Sequence, residues 1–134
     1  MNESLRIQLE RASAEVMRLV AQQQASDAAD ILAVLADAVE ESGDARRATA
    51  LRNQSRKLRV VAWIRRHGDH FAYFNCFAIY SAIEPYLLAG EDEILFHVPD
   101  HAGTSIVGRT FIEVAPTGDV REVPWAEVHE RAWG

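Results

Sequence analysis

Four of the five histidines in this 134-residue chain fall in two pairs, His67-Gly-Asp-His70 and His97-Val-Pro-Asp-His101, each with an aspartate beside a histidine. Imidazole nitrogens with a carboxylate are ligands for zinc or another divalent ion, and an open coordination position would activate water for hydrolysis. The spacing matches none of the helix-borne metal signatures. The first pair is expected in a loop and the second across a strand end and a loop. A metal-dependent hydrolase built on His67, His70, His97 and His101 is therefore one function class to test. Cys76, in YFNCFA, is flanked by aromatics with no adjacent cation to stabilise a thiolate, and it reads as a small buried hydrophobe. No Gly-x-Ser-x-Gly elbow occurs, AGTSIVGR lacks the Gly-Lys-Ser/Thr ending of a phosphate loop, and the acids of GEDE read as a solvated turn. No catalytic residue and no cofactor is expected.

A second candidate is electrostatic. The stretch RRATALRNQSRKLRVVAWIRRH, 46–67, holds eight Arg or Lys and no acid, in a chain of net charge −6. The other six cations then face all twenty acids, so the rest of the chain carries −14. At about 100° per residue, Ala48, Leu51, Ser55, Leu58 and Ala62 form the inward stripe of a helix, with Arg52, Arg56, Arg59 and Trp63 along its flank. Such a ridge, with Lys57 beside it, suits a phosphate backbone, because each neutralised phosphate releases counterions and a base stacks on an indole. The plainer reading is a ridge that meets carboxylates elsewhere in the fold. In the preceding helix Asp30, Asp37 and Glu41 are expected to face solvent, opposite an Ile31/Leu35/Val39 stripe. That leaves Glu91, Asp92 and Glu93, or a second subunit, as counter-charges. The helix pair also fits poorly as a DNA-reading unit, with Val39 where a small residue is wanted and Thr49 where an apolar one is.

These residues need elements to position them. The chain has the length of one domain, 49% apolar residues, 25% charged residues and one cysteine, all in keeping with a globular protein of a reducing compartment. No apolar run approaches the roughly 18 residues of a membrane span, and MNESLRIQLERA is not a signal peptide, so the expected address is the cytoplasm.

Leu5, Leu9, Ala12, Val16, Leu19 and Val20 mark a first amphipathic helix over 4–23. Ala28, Ile31, Leu32, Leu35 and Val39 mark a second, capped by Ser26 or Asp27. Gly43 and Asp44 make the joint to a third, from Ala45 to about Arg66, although the β-branched LRVVAWI leaves its end open to an extended reading. FAYFNCFAIY, 71–80, is read as a buried strand rather than a buried helix. Ser81 to Glu84 then reads as a capping box opening a short helix, AIEPYLLA, closed by Gly90. EILFHV, SIVGRTFIEVA and DVREVPW have strand composition, PTGD is hairpin chemistry, and AEVHERAW suits a final helical turn or two. Trp125 and Trp133 are expected to fold back on the core or to anchor a partner. The fold class is α+β: one domain, 1–134, with about three N-terminal helices in 1–67 and, in 68–134, a small antiparallel sheet with one short inserted helix.

LADAVEESGDARRATALR, 35–52, resembles the bacterial repeat-companion motif, roughly Leu-Ala-Asp-x-Leu-Glu-Glu-x-Gly-Asp-x-Arg. Leu35, Ala36, Asp37, Glu40, Glu41, Gly43, Asp44 and Arg46 or Arg47 match, while Ala38 and Ala45 stand where tryptophan and proline are usual. The resemblance implies a bacterial or phage setting and the helix-turn-helix geometry. It brings no catalytic residues.

The function class these features favour is a small regulatory module, inhibitor- or immunity-like, that binds another protein through a charge-polarised surface. Its alternatives are a nucleic-acid-binding regulator using Arg52, Arg56, Lys57, Arg59 and Trp63, and the histidine-based hydrolase. No membrane partner is expected, and a homo-oligomer is compatible with the sequence.

Overall fold

A computed structural model describes residues 2–67, 75–90, 92–98 and 110–134. Helices α1 (Glu3–Ala21), α2 (Ala25–Glu41) and α3 (Ala45–His67) lead, followed by a short α4 (Cys76–Ala82), strands β1 (Glu84–Ala89), β2 (Asp92–Val98), β3 (Thr110–Val114) and β4 (Val120–Val123), and a closing α5 (Trp125–Trp133). The strands form one antiparallel sheet in the order β1-β2-β3-β4. The α+β class and the order of three helices before a sheet are as the sequence suggests. Among the described residues no helix is long and apolar enough to cross a membrane.

Caps set the helix boundaries. Asn2 Oδ1 accepts from the Leu5 amide at 2.7 Å to start α1. Gly43, at φ +98°, ends α2, and Asp44 Oδ1 accepts from the Arg47 amide at 3.1 Å to start α3. Helix α2 departs from expectation. Neither Ser26 nor Asp27 caps it; both lie inside its first turn, and Gln24 holds the cap position without a side-chain hydrogen bond. Helix α3 runs unbroken to His67, so its β-branched end is helical: Leu58, Val60, Val61 and Ile64 are all buried there, and tertiary packing outweighs local propensity.

Two expectations about the middle of the chain are overturned. The preferred strand over 71–80 is helix from Cys76 onward, with 71–74 outside the described residues. Asn75 caps it by accepting from the Ala78 amide at 2.8 Å, and Cys76 and Ile79 are buried while Phe77 and Ala78 face out, a helical rather than a strand period. The expected helix AIEPYLLA is instead strand β1 from Glu84 onward, with Ala82 ending α4. Pro85 disfavours helical backbone at Glu84 and has no N–H, so it sits on an edge strand paired opposite Phe96. Gly90, at φ +67°, turns the β1–β2 hairpin and closes no helix. The PTGD turn forms as expected, with Gly118 at φ +91° and the Ala115 amide donating to the Asp119 carbonyl at 2.8 Å.

The sheet is packed on both faces. Phe96, Val98, Ile112 and Val114 meet Leu58, Val60, Val61 and Ile64 of α3 in the main core, which also takes in α1, α2 and α4. The alternate residues Leu95, Phe111 and Val123 meet Val128 of α5, flanked by Tyr86 and Trp125. Around that second core, Glu113 and Glu127 share Arg121 and Arg131: Arg131 lies 2.6 Å from both carboxylates, and Arg121 2.9 Å from Glu113 and 2.7 Å from Glu127. The four charges tie α5 to β3 and β4.

Candidate binding surfaces

The arginine ridge faces the fold. Helix α2 turns Leu32, Val39 and the small residues Ala25, Ala28, Ala29 and Ala36 inward, whereas Ile31 and Leu35 are only half-buried. Alanine lets α2 and α3 approach closely, and buried Ser55 of α3 donates its hydroxyl to the Ala29 carbonyl at 2.7 Å. With the stripe rotated this way, Asp30, Asp37 and Glu40 lie on its flank, beside α3. Arg59 pairs with Asp30 at 2.9 Å, and Arg52 with Asp37 at 2.9 Å and Glu40 at 2.5 Å. Asp30, Asp37 and Glu41 are all exposed, as expected, but the expectation that α2 cannot neutralise the ridge is overturned, because Asp30 and Asp37 reach Arg59 and Arg52 from the flank. Asp92, expected as a counter-charge from the sheet half, lies 3.4 Å from Arg56, and Glu91 is outside the described residues. Asn53 Oδ1 accepts from Arg56 at 2.9 Å and from the Glu93 amide at 3.0 Å, fastening the ridge to the start of β2.

The arginines are less exposed than their partners. Side-chain exposure is 26% for Arg52, 14% for Arg56 and 22% for Arg59, against 74% for Asp37, 63% for Asp30 and 46% for Asp92. All three arginines line a cleft of about 250 Å³ closed by Val114–Gly118. The turn backbone approaches Arg59 closely: a Cβ on Gly118 would stand 3.5 Å from its Nε. Past Arg59 a second cleft, of about 400 Å³, is lined by Trp63, Arg66, His67 and Asp119. There the Trp63 and His67 rings stack at 4.3 Å between centroids and 18° between planes.

Lys57 leaves the ridge. Its ammonium lies 4.1 Å from the centre of the Tyr80 ring of α4, a cation–π contact. Burial pulls its pKa below the ordinary value, against the opposing pull of Glu93 and Glu84. Beside the Tyr80 ring opens an apolar groove of about 360 Å³ between α1, α3 and α4, floored by Leu32 of α2 and lined by Val16, Met17, Val20, Gln54, Leu58, Phe77 and Tyr80. Met17 is 57% exposed and Phe77 40%. Sequence reading missed this groove because it assigned Phe77 and Tyr80 to a strand; a helical reading of 76–82 brings them to one side with Met17.

The two described histidines of the metal reading are not brought together. His67 ends α3, on one side of the sheet, whereas His97 of β2 lies on the α5 side with Tyr86 and Phe111, its Nε2 3.7 Å from Glu84. His70 and His101 are outside the described residues. No group of three His, Cys, Asp or Glu suited to a metal occurs among the described residues. Cys76 is fully buried, and burial raises its thiol pKa, against a nucleophilic role. Trp125 folds onto Phe111, its ring centroid 5.6 Å away, while Trp133 stays 62% exposed. No protein-family model matches the chain, and neither does any curated protein or solved structure.

Proposed function

We propose that the protein is a regulatory binding module that recognises an amphipathic helical segment of another protein in the groove between α1, α3 and α4. The observation that carries this reading is the exposure of Met17 and Phe77 over an apolar floor, a surface that costs solvation unless something covers it. Methionine and aromatic side chains adapt to a helix presenting apolar residues at i, i+3 and i+4. Lys57, held over the ring of Tyr80 that lines the groove, is partly desolvated and, among the described residues, has no carboxylate at ion-pair distance, so an acid is the partner's complementary group. An inhibitor- or immunity-like role in a bacterium or phage fits such a module, in keeping with the resemblance of residues 35–52. The nucleic-acid alternative is weaker along the ridge itself, because Arg52, Arg56 and Arg59 already have carboxylate partners.

Benzoyl-phenylalanine placed at position 77, with position 34 as an exposed control, tests the reading by photocrosslinking in source cells. The expected result is one adduct from position 77 alone, lost on Met17→Glu, mapping to an amphipathic segment with an acid beside its apolar face. A synthetic peptide of that segment should then bind wild type and fail on Lys57→Glu. Equal adducts from both positions, a cross-linked homodimer, or no adduct overturns the proposal.

A further inference from the structure

We propose that the cleft beside Trp63 binds a phosphorylated planar ring, a nucleotide either free or as one unit of a single strand. This site is separate from the apolar groove and does not depend on it. Arg59, Trp63, Arg66 and His67 follow one another at spacings of four, three and one, which brings them to a single face of α3, and all four line the cleft. Its volume of about 400 Å³ falls in the range of small-ligand sites.

The aromatic half of the site is preformed. The His67 ring stacks on the Trp63 indole and fixes its orientation, so a ligand ring extends the stack from its outer face. The Trp63 carbonyl lies 2.9 Å from His67 Nδ1, and a carbonyl only accepts, so Nδ1 carries the proton and Nε2 is left for a ligand. Stacking of a base on an indole tolerates any base, because every base has a π-face.

The cationic half is built from two unlike arginines. Arg59 is fixed by Asp30 on one side and the Gly118 turn on the other, and a guanidinium with five donors keeps several for a second anion. Arg66 is exposed and, among the described residues, makes no ion pair, so it can close over a phosphate. Asp119, on the turn side, already accepts from Thr117 Oγ1 at 3.0 Å. Its carboxylate repels phosphate and suits a sugar hydroxyl or an amino group, which sets the direction of the ligand: phosphate toward Arg59 and Arg66, ring on Trp63.

Two-dimensional NMR of the full chain tests this, since the three tryptophan indole N–H resonances report the site and two internal controls, Trp125 and Trp133. Adenosine monophosphate, adenosine, inorganic phosphate and a short single-stranded oligonucleotide are titrated separately at low salt. The expected result is a saturable shift of the Trp63 resonance alone, with the monophosphate binding more tightly than adenosine or phosphate. Arg66→Ala, at an exposed position, weakens it about tenfold, the loss expected for one charge-assisted hydrogen bond. Much tighter binding of the oligonucleotide, competing with the monophosphate, assigns the source to a strand; comparable binding assigns it to the free nucleotide. Equal binding of phosphate and monophosphate, shifts in all three indoles, insensitivity to Arg66→Ala, or no shift at millimolar ligand overturns the proposal.

Discussion

The guanidinium of Arg59 is held from two directions, by Asp30 Oδ1 at 2.9 Å and by the backbone of Gly118, whose added Cβ would stand 3.5 Å from Nε. The two supports differ in kind. The carboxylate is 63% exposed, and pairs of that sort contribute under about 1 kcal/mol. The glycine holds φ +91°, where an L side chain costs roughly 1–2 kcal/mol whatever the space around it. Asp30→Asn should therefore lower stability by less than about 1 kcal/mol, and Gly118→Ala by roughly 1–2 kcal/mol. Urea denaturation of both variants measures the order, and a neutral Gly118→Ala contradicts it.

Close packing of α2 on α3 makes a second expectation. Ser55→Ala removes one buried hydrogen bond to the Ala29 carbonyl and should cost about 1 kcal/mol. Ala29→Leu forces a larger side chain into a fully buried position and should cost about 1–3 kcal/mol or more. If thermal or urea unfolding shows Ala29→Leu no worse than Ser55→Ala, the close approach of the helices is wrong.

Acid should loosen the α5 side first. Hydrogen bonding by Arg131, and secondarily by Arg121, holds the Glu113 carboxyl below its ordinary value of 4.5. A depressed folded pKa means that the stabilisation is complete above the unfolded value and is lost as pH falls through the folded one, so the decline starts below about pH 5. Glu113→Gln should cost about 1.5 kcal/mol at neutral pH and flatten the stability–pH curve below about pH 5. An unchanged slope in that window would show that this carboxylate is not the group responsible.

Cys76 should be chemically silent. It is fully buried, and burial raises its thiol pKa. Labelling with a disulfide reagent at neutral pH should track unfolding and become stoichiometric only in denaturant. Fast labelling of the folded protein rules out the burial.

The helical half was legible because its signals are local: Gly43 with Asp44 marks a joint, and Leu5 to Val20 marks a stripe, with no reference to the rest of the chain. The side of α2 that faces α3 was not. Periodicity finds Ala28, Leu32 and Val39, which are buried, together with Ile31 and Leu35, which are only half-buried, and it leaves out Ala25, Ala29 and Ala36, whose small size shows only against a partner helix. That rotation places Asp30 and Asp37 against the ridge. The segment after Asn75 misled for a different reason: Cys76, Phe77 and Ile79 suit strand and helix alike, and the cap at Asn75 with Pro85 downstream decides between them. Of the candidate sites, the basic residues were visible as composition, but the division of labour among them, with Arg52, Arg56 and Arg59 inward and Lys57 toward Tyr80, depends on contacts between distant segments.

Pro85 has a consequence for how this molecule behaves in a crowded solution. It lies on β1, one margin of the sheet, and offers no N–H to a newcomer, while the other margin, β4, is four residues long and carries charged, exposed Arg121 and Glu122. A sheet bounded in this way resists extension by a foreign strand. Through these two margins, the described sheet should therefore not seed cross-β fibres in concentrated protein.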